Sequence, residues 1–479
     1  MPDDPHLLLP SPDGSRREDG DCGKGRPASS GRHADVGFGR GPPVSMPPPA
    51  PRGTPERPAT RALEKDPFMQ TDAQMLSLLM RRKANHSLPR ALYTDPEMFE
   101  VDMRRIWYRD WLVAAPSCEI PKPGNHVTVE VGAYSIIVVR GHDRIVRAFH
   151  NSCRHRGSRI CKAARGSAPK LVCPYHQWTY ELDGRLLWAR DMGPDFDASA
   201  HGLKTVHCRD AGGMIFVCLA DEPPAFDALA QAAETYLKPH DVANLKVAHS
   251  STIVEKANWK LVMENNRECY HCSGSHPALC RSFDDNPNIA GNGNGIADPV
   301  IERHLERCEA AGLPGRFRIS PTNQWRFVRV PLLGQAVSYT MDGKPAVSRT
   351  VGTIPFRDAG SLLLFHYPSS WNHFLSDCVM IFSMMPISAR ETRVTTKWLV
   401  HADAVEGVDY DLDRLTEVWT MTNDEDRAIV EENQRGIDTP AYEPGPYSAS
   451  QESGVIQFVD WYAETMTGRL TGRAAIAAE

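Results

Sequence analysis

Four metal-binding side chains arrive in two mixed pairs, Cys153-Arg154-His155 and Cys173-Pro174-Tyr175-His176, with seventeen residues between them. If the four act together, two separate loops must meet at one point, and the segments feeding them must hold them there. Short strands satisfy that demand, because a sheet fixes loop ends while the loops wrap a cofactor. Each pair offers one thiolate and one imidazole. That is the donor set of a [2Fe–2S] cluster in which two Cys hold one iron and two His the other, with neutral imidazoles raising the potential. A structural Cys2His2 zinc site uses the same four donors. Zinc fingers place like with like, whereas each pair here is mixed, which favours iron–sulfur over zinc.

The flanking sequence carries the strands that such loops require. His126–Val131 alternates apolar and polar, and Ser135–Val139, Ile145–Phe149, Trp178–Tyr180 and Met214–Cys218 follow between Gly-containing turns. Residues 108–222 therefore read as a small all-β domain. Ahead of it, residues 66–107 carry two helical patterns expected to pack on the second domain. One covers Ala73–Lys83 behind Asp72 as a cap, and the other runs from Asp95 to Trp107. Thirteen of the 38 prolines fall before residue 60, mixed with Gly, Ser and charges of both signs, and residues 1–65 read as a disordered tail.

After Pro224 the pattern becomes mixed. Helices are expected at Phe226–Leu237, near Trp259–Tyr270 and over Asp409–Gln434, with strand-like runs at Ser361–His366 and Val379–Ser383. Residues 223–479 thus form an α+β domain in which helices cover an antiparallel sheet. His271 and His276 lie here, five residues apart. On a regular helix they diverge by about 140°, but Ser273-Gly274-Ser275 and Pro277 break the helix between them and let the rings converge. Two imidazoles and one carboxylate form the facial triad of non-haem Fe(II) oxygenases. The long helix offers Asp424, Glu425 and Asp426. Leu415, Trp419, Thr422, Ile429 and Val430 mark its apolar face, and Asp426 shares it, with Glu425 at the edge and Asp424 opposite. A buried carboxylate needs a cation or a paired donor. Iron is one candidate partner for Asp426, and Arg326 or Arg329 is the alternative.

Cys153–Gly157, Cys173–Trp178 and the histidine segment together resemble the oxygenase (alpha) component of Rieske non-haem iron oxygenases, over residues 70 to 468. Glu264–Cys272, Thr422-Asn423 and Tyr442–Ser448 further resemble the branch that attacks quaternary amines such as glycine betaine, carnitine and stachydrine. The resemblance implies Cys153, His155, Cys173 and His176 as cluster ligands and His271, His276 and Asp426 as ligands of a mononuclear Fe(II). It implies Glu268 as the acidic catalytic link between the cluster of one subunit and the iron of its neighbour, hence a homotrimer. Two positions depart from that pattern, Cys378 in place of His and Arg427 in place of an aromatic.

The function implied is O2-dependent hydroxylation of an N-methyl group of a glycine betaine-like quaternary ammonium compound, with demethylation and formaldehyde release. No G-x-G-x-x-G follows a strand, so NAD(P)H is expected to act through a separate flavin/iron–sulfur reductase. A cationic substrate calls for aromatic faces. Trp325, Phe327, Tyr339, Phe365, Tyr367 and Trp371 are candidates, each also readable as core. Two alternatives stay open, a ring-hydroxylating oxygenase of an aromatic or other apolar substrate and a zinc-binding structural protein. The net charge of -6 gives no support for nucleic-acid or anionic-membrane binding. Leu7–Leu9 is interrupted by Pro10 and Pro12 and lacks a basic start, so the expected compartment is the cytoplasm. The cysteines, Cys269 and Cys272 included, read as ligand-like more than bridge-like.

Overall fold

A computed structural model describes residues 67–284 and 298–472. The expected tail at residues 1–65 lies outside the described residues.

The alternating strands build a seven-stranded antiparallel sheet in the order Leu112–Pro116, Met214–Cys218, Thr205–Ala211, Val146–His150, Tyr134–Arg140, Asn125–Val131, Arg165–Ser167. A three-stranded sheet of Leu171–Val172, Thr179–Tyr180 and Leu186–Trp188 sits beside it. Successive strand residues face opposite ways, and Tyr134–Arg140 uses both faces. Ile136 and Val138 join the main core of the molecule. Ile137 and Val139 pack with Phe149, Leu171, Trp178 and Tyr180 in a second core that also holds Cys153 and Cys173.

The second domain is organised by another seven-stranded antiparallel sheet, ordered Leu245–Glu255, Glu391–His401, Val379–Ser388, Ser370–Phe374, Ser361–His366, Trp325–Val330, Arg318–Ile319. Period 2 again divides the side chains. Trp325, Phe327, Leu362 and Leu364 pack on one face, and Val328, Val330, Leu363 and Phe365 on the other. The helix Leu412–Asp438 lies over that second face. Asp411 caps it by accepting from the Arg414 amide, and Leu415, Val418, Trp419, Thr422, Asp426, Val430, Gln434 and Ile437 form its buried stripe.

The N-terminal helices pack on this domain through a buried ion pair. Asp102 and Lys260 are both fully buried and in contact. Asp102 also accepts from Trp259 Nε1 at 3.1 Å and Tyr462 OH at 2.7 Å, so its charge is answered three ways.

Several helix boundaries differ from expectation, and the long helix expected over Asp409–Gln434 runs Leu412–Asp438. The first helix is Pro67–Met80. Proline suits a first helical turn because its missing N–H is not needed there, and Asp72 pairs with Arg104 and Arg105 instead of capping. The second is an α-helix at Pro96–Asp102, capped by Asp95, that widens into a π-turn at Met103–Trp107. The third stops at Asn265 rather than Tyr270, because the Asn266 side chain takes the Val262 carbonyl at 2.9 Å and competes with the next helical bond. The helices Pro299–Ala310 and Ser453–Thr471 were not singled out by periodicity.

Candidate functional site

The two cysteine–histidine loops are built alike. In each, the cysteine carbonyl accepts from the amide four residues on, Gly157 at 2.9 Å and Gln177 at 3.1 Å. Both closing residues adopt left-handed backbone, φ 76° for Gly157 and 62° for Gln177. Glycine does this freely, whereas glutamine does so under strain. The turns bury the cysteines and leave the histidines at the outer edge, with the His155 and His176 rings 4.6 Å apart. Both thiols are free, and Cys153 Sγ lies 3.3 Å from the Tyr180 hydroxyl. His155 stacks on Trp178 at 5.0 Å. His176 Nδ1 is buried without a hydrogen-bond partner. Desolvation, with His155 and Arg156 nearby, lowers its pKa and favours the neutral ring that a metal requires. Two inward thiols, two outward imidazoles and an unpartnered ring nitrogen fit an asymmetric [2Fe–2S] cluster.

The second constellation forms where the helix Trp259–Asn265 has already ended. His271 and His276 bracket the short turn Cys272–Ser275, and their Nε2 atoms come within 3.0 Å of each other. Asp426 Oδ1 lies 3.0 Å from His276 Nε2 and 3.3 Å from His271 Nε2. Three donors on one face of an octahedral ion with bonds of about 2.1 Å are separated by roughly 3.0 Å, so the triangle has the dimensions of a metal-binding face. Burial works against the Asp426 charge, but the two histidines outweigh it and hold the carboxyl below its usual range. Burial likewise opposes protonation of His271, yet Asp426 and Glu268 prevail and push it up to about 9. A bound cation would take the place of those protons.

Each imidazole is held from behind by a carboxylate. His271 Nδ1 contacts Glu268 Oε1 at 2.6 Å, and His276 Nδ1 contacts Glu425 Oε2 at 2.8 Å. Glu268 also accepts from the Tyr270 amide. Carboxylates in this position fix the ring tautomer and orientation. Glu425, placed at the helix edge from sequence, reaches the rear of His276. No local spacing announces that role, because the two residues lie 149 positions apart in the chain.

The triad opens on a cavity of about 120 Å³. Phe365 and Trp371 line it, as do Trp419, Phe283 and His373, which the sequence did not single out as cavity residues. Trp325 and Phe327 pack on the opposite face of the sheet, and Tyr339 and Tyr367 are buried behind the wall. His373 contacts the Tyr339 hydroxyl at 3.2 Å, and burial lowers its pKa to about 3, so the ring is neutral.

Other residues go elsewhere. Arg329 bonds the Ala359 carbonyl and His240, and neither it nor Arg326 pairs with Asp426. Cys378 is buried beside Ser338 and Asp377, away from the cavity lining. Arg427 pairs with Asp424 at 2.9 Å on the half-exposed side of the helix. Cys269 and Cys272, read as ligand-like, are joined by a disulfide. The irregular turn after Asn265 brings their Cα atoms to 4.9 Å, within bonding range.

Comparison with known proteins bears on this geometry. The Rieske [2Fe-2S] domain family matches residues 110–207, and the ring hydroxylating alpha subunit (catalytic domain) family matches residues 242–468. The chain belongs to the Rieske oxygenase alpha-subunit family, which closes the zinc alternative. It is 50% identical over 421 residues to the glycine betaine monooxygenase oxygenase subunit of Chromohalobacter salexigens, covering 87% of this chain and 94% of that one. It is 48% identical over 414 residues to the same subunit of Pseudomonas aeruginosa, covering 86% and 96%. In fold it resembles the quaternary ammonium Rieske monooxygenase CntA, crystallised with an inhibitor, with a TM-score of 0.63 and 20% identity over 81% of this chain and 98% of that one. No helix among the described residues is long and apolar enough to cross a membrane.

Proposed function

We propose that the chain is the oxygenase component of a monooxygenase that hydroxylates an N-methyl group of a glycine betaine-like quaternary ammonium compound. The observation that carries this reading is the juxtaposition of the His271–His276–Asp426 triangle with a small cavity walled by aromatic faces. A quaternary ammonium donates no hydrogen bonds, so such faces are the way a protein holds it. The high identity to glycine betaine monooxygenase subunits supports the same substrate class.

On this reading Cys153, His155, Cys173 and His176 hold the [2Fe–2S] cluster, and His271, His276 and Asp426 hold Fe(II). When bound, these groups supply electron transfer and O2 activation, with electrons drawn from NAD(P)H by a separate reductase. Glu268 and Glu425 orient the two histidines through their Nδ1 atoms. Glu268 is also the proposed link from this iron site to the cluster of a neighbouring subunit in a trimer. Trp371 and Trp419 present π faces to the substrate cation. Hydroxylation at an N-methyl carbon gives an N-hydroxymethyl compound, which collapses to formaldehyde and a tertiary amine.

The test is oxygen uptake with a reductase and a panel of methylated amines, scored for formaldehyde. Stoichiometric formaldehyde from glycine betaine is expected. Its absence, with turnover of an apolar aromatic instead, would overturn the reading.

A further inference from the structure

Arg326 carries a charge that none of the described residues answers. It is 6% exposed, its Nε has no hydrogen-bond partner, and no carboxylate among the described residues pairs with it. The charged group bearing on it is of the same sign, Arg267, itself 3% exposed. Arg267 donates from Nε to the Tyr367 hydroxyl and from Nη2 to Gln457 at 2.9 Å, while its Nη1 is buried without a partner. Both guanidinium groups lie against one ring, Arg267 at 4.2 Å and Arg326 at 4.8 Å from the centre of Phe365. Burial and Arg267 both push the Arg326 pKa down. A guanidinium nevertheless keeps its proton at neutral pH. Two like charges, buried together and short of acceptors, are costly unless an anion joins them.

Both arginines line the cavity that contains the triad. Of the cavity's carboxylates, Glu268 and Asp426 are engaged by the histidines. We propose that Arg326, with Arg267 beside it, anchors a carboxylate of the substrate, so that the site selects zwitterions bearing both an acid group and an N-methyl ammonium. This rests on the N-demethylation reading above and narrows it.

The sheet register sets the polarity of binding. Arg326, Phe365, Trp371 and Phe382 are direct neighbours on consecutive strands. Arg326 and Trp371 are two strand spacings apart, roughly 10 Å between backbones, with Phe365 on the strand between, and all three line the cavity. An acid group docks on the guanidinium, which presents a planar fork of donors to a carboxylate. The ammonium is repelled by the same arginines. It turns to the Trp371 face and to Trp419, which sits seven residues before Asp426 on the buried stripe of the long helix. The methyl groups are thereby directed to the triad side of the cavity.

The experiment uses iron-loaded holoenzyme and reads thermal stabilisation by glycine betaine and by choline, in which an alcohol replaces the acid, alongside formaldehyde release from each. In the wild type, glycine betaine is expected to act at concentrations about tenfold or more below choline, the scale of one charge-assisted hydrogen-bonded contact. Arg326→Gln should lose that advantage, glycine betaine acting only at concentrations about tenfold or more higher while choline, freed of one repelling charge, acts at equal or lower concentrations, and Arg326→Lys should fall between. Equal responses to the two ligands in the wild type, or unaltered glycine betaine binding by Arg326→Gln, would overturn the anchor. Should Arg326→Gln fail to retain the cluster absorbance, the wild-type comparison decides alone. Formaldehyde from choline as readily as from glycine betaine would sink the anchor and leave the N-demethylation reading standing. Formaldehyde from neither would sink that reading itself.

Discussion

Removing the Glu425 carboxylate isolates what support from behind contributes to the iron site. Glu425 Oε2 lies 2.8 Å from Nδ1 of His276, a ring whose side chain is 1% exposed. Because the ring is buried, water is poorly placed to replace the lost acceptor. A hydrogen bond to a charged group contributes about 1.5–3 kcal/mol. At 1.4 kcal/mol per factor of ten, that corresponds to roughly 10- to 100-fold in metal affinity, the range found for partners of metal-bound histidines. The Glu425 side chain is 28% exposed, which screens its charge and favours the lower part of the range for the milder change. Glu425→Gln keeps an acceptor oxygen and should weaken Fe(II) retention by about tenfold, whereas Glu425→Ala should approach 100-fold. The assay is competition with a ferrous chelator, normalised to the visible absorption of the cluster. That absorption should not change, because the cluster loops belong to a separate core. Wild-type iron affinity in Glu425→Ala would refute the reasoning, and loss of cluster and iron together would show misfolding instead of loss of a ring partner.

Two further outcomes follow from local geometry and burial. Gly157 closes the first cluster loop at φ 76° with no close neighbour around its missing Cβ, so Gly157→Ala should cost only the strain of the left-handed conformation, about 1–2 kcal/mol, read as faster cluster loss on warming. Undiminished cluster lifetime would contradict the loop argument. Glu264 is buried between the Tyr93 and Tyr447 hydroxyls, and desolvation pushes its pKa up to about 7. The folded protein therefore binds this proton more tightly than the unfolded chain, so the stability contributed by this group declines as pH rises from the ordinary carboxylate range to about 7 and is flat above it. Between about pH 5 and 7 denaturant unfolding should show a loss to which Glu264 contributes roughly 2–3 kcal/mol, with a further part from Glu255, pushed up to about 8 by burial, so that the decline is smaller by the Glu264 share in Glu264→Gln. An equal slope in the variant would assign the titration to another group.

What the sequence discloses and what it hides divide along a physical line. The proposed cluster ligands Cys153, His155, Cys173 and His176 are legible because a cluster demands particular donors at short, fixed spacings, and Met214–Cys218 and Ser361–His366 because short, continuous apolar runs mark strands buried on both faces. Asp426 is legible for a similar reason: the 3.6-residue period of the long helix places it among Trp419, Thr422 and Val430, where a carboxylate needs a partner. Glu425 is one residue, and about 100°, away from it. Its importance appears only when an irregular turn, 149 residues earlier in the chain, delivers the back of His276 to it. The turn itself is hidden because Asn266 ends the preceding helix with a side-chain bond that competes locally with the helical pattern. The same division governs specificity. Trp325–Val330 is buried at every position, so its pattern does not announce which face Arg326 takes or whether it is paired, since that depends on where Asp426 and Arg267 go. Asp426 turns to the histidines and Arg267 closes in on the same Phe365 ring, leaving Arg326 with a charge that none of the described residues answers. The proposed metal ligands are thus announced by the ion they would share, whereas the proposed substrate anchor is marked by a partner that none of the described residues supplies.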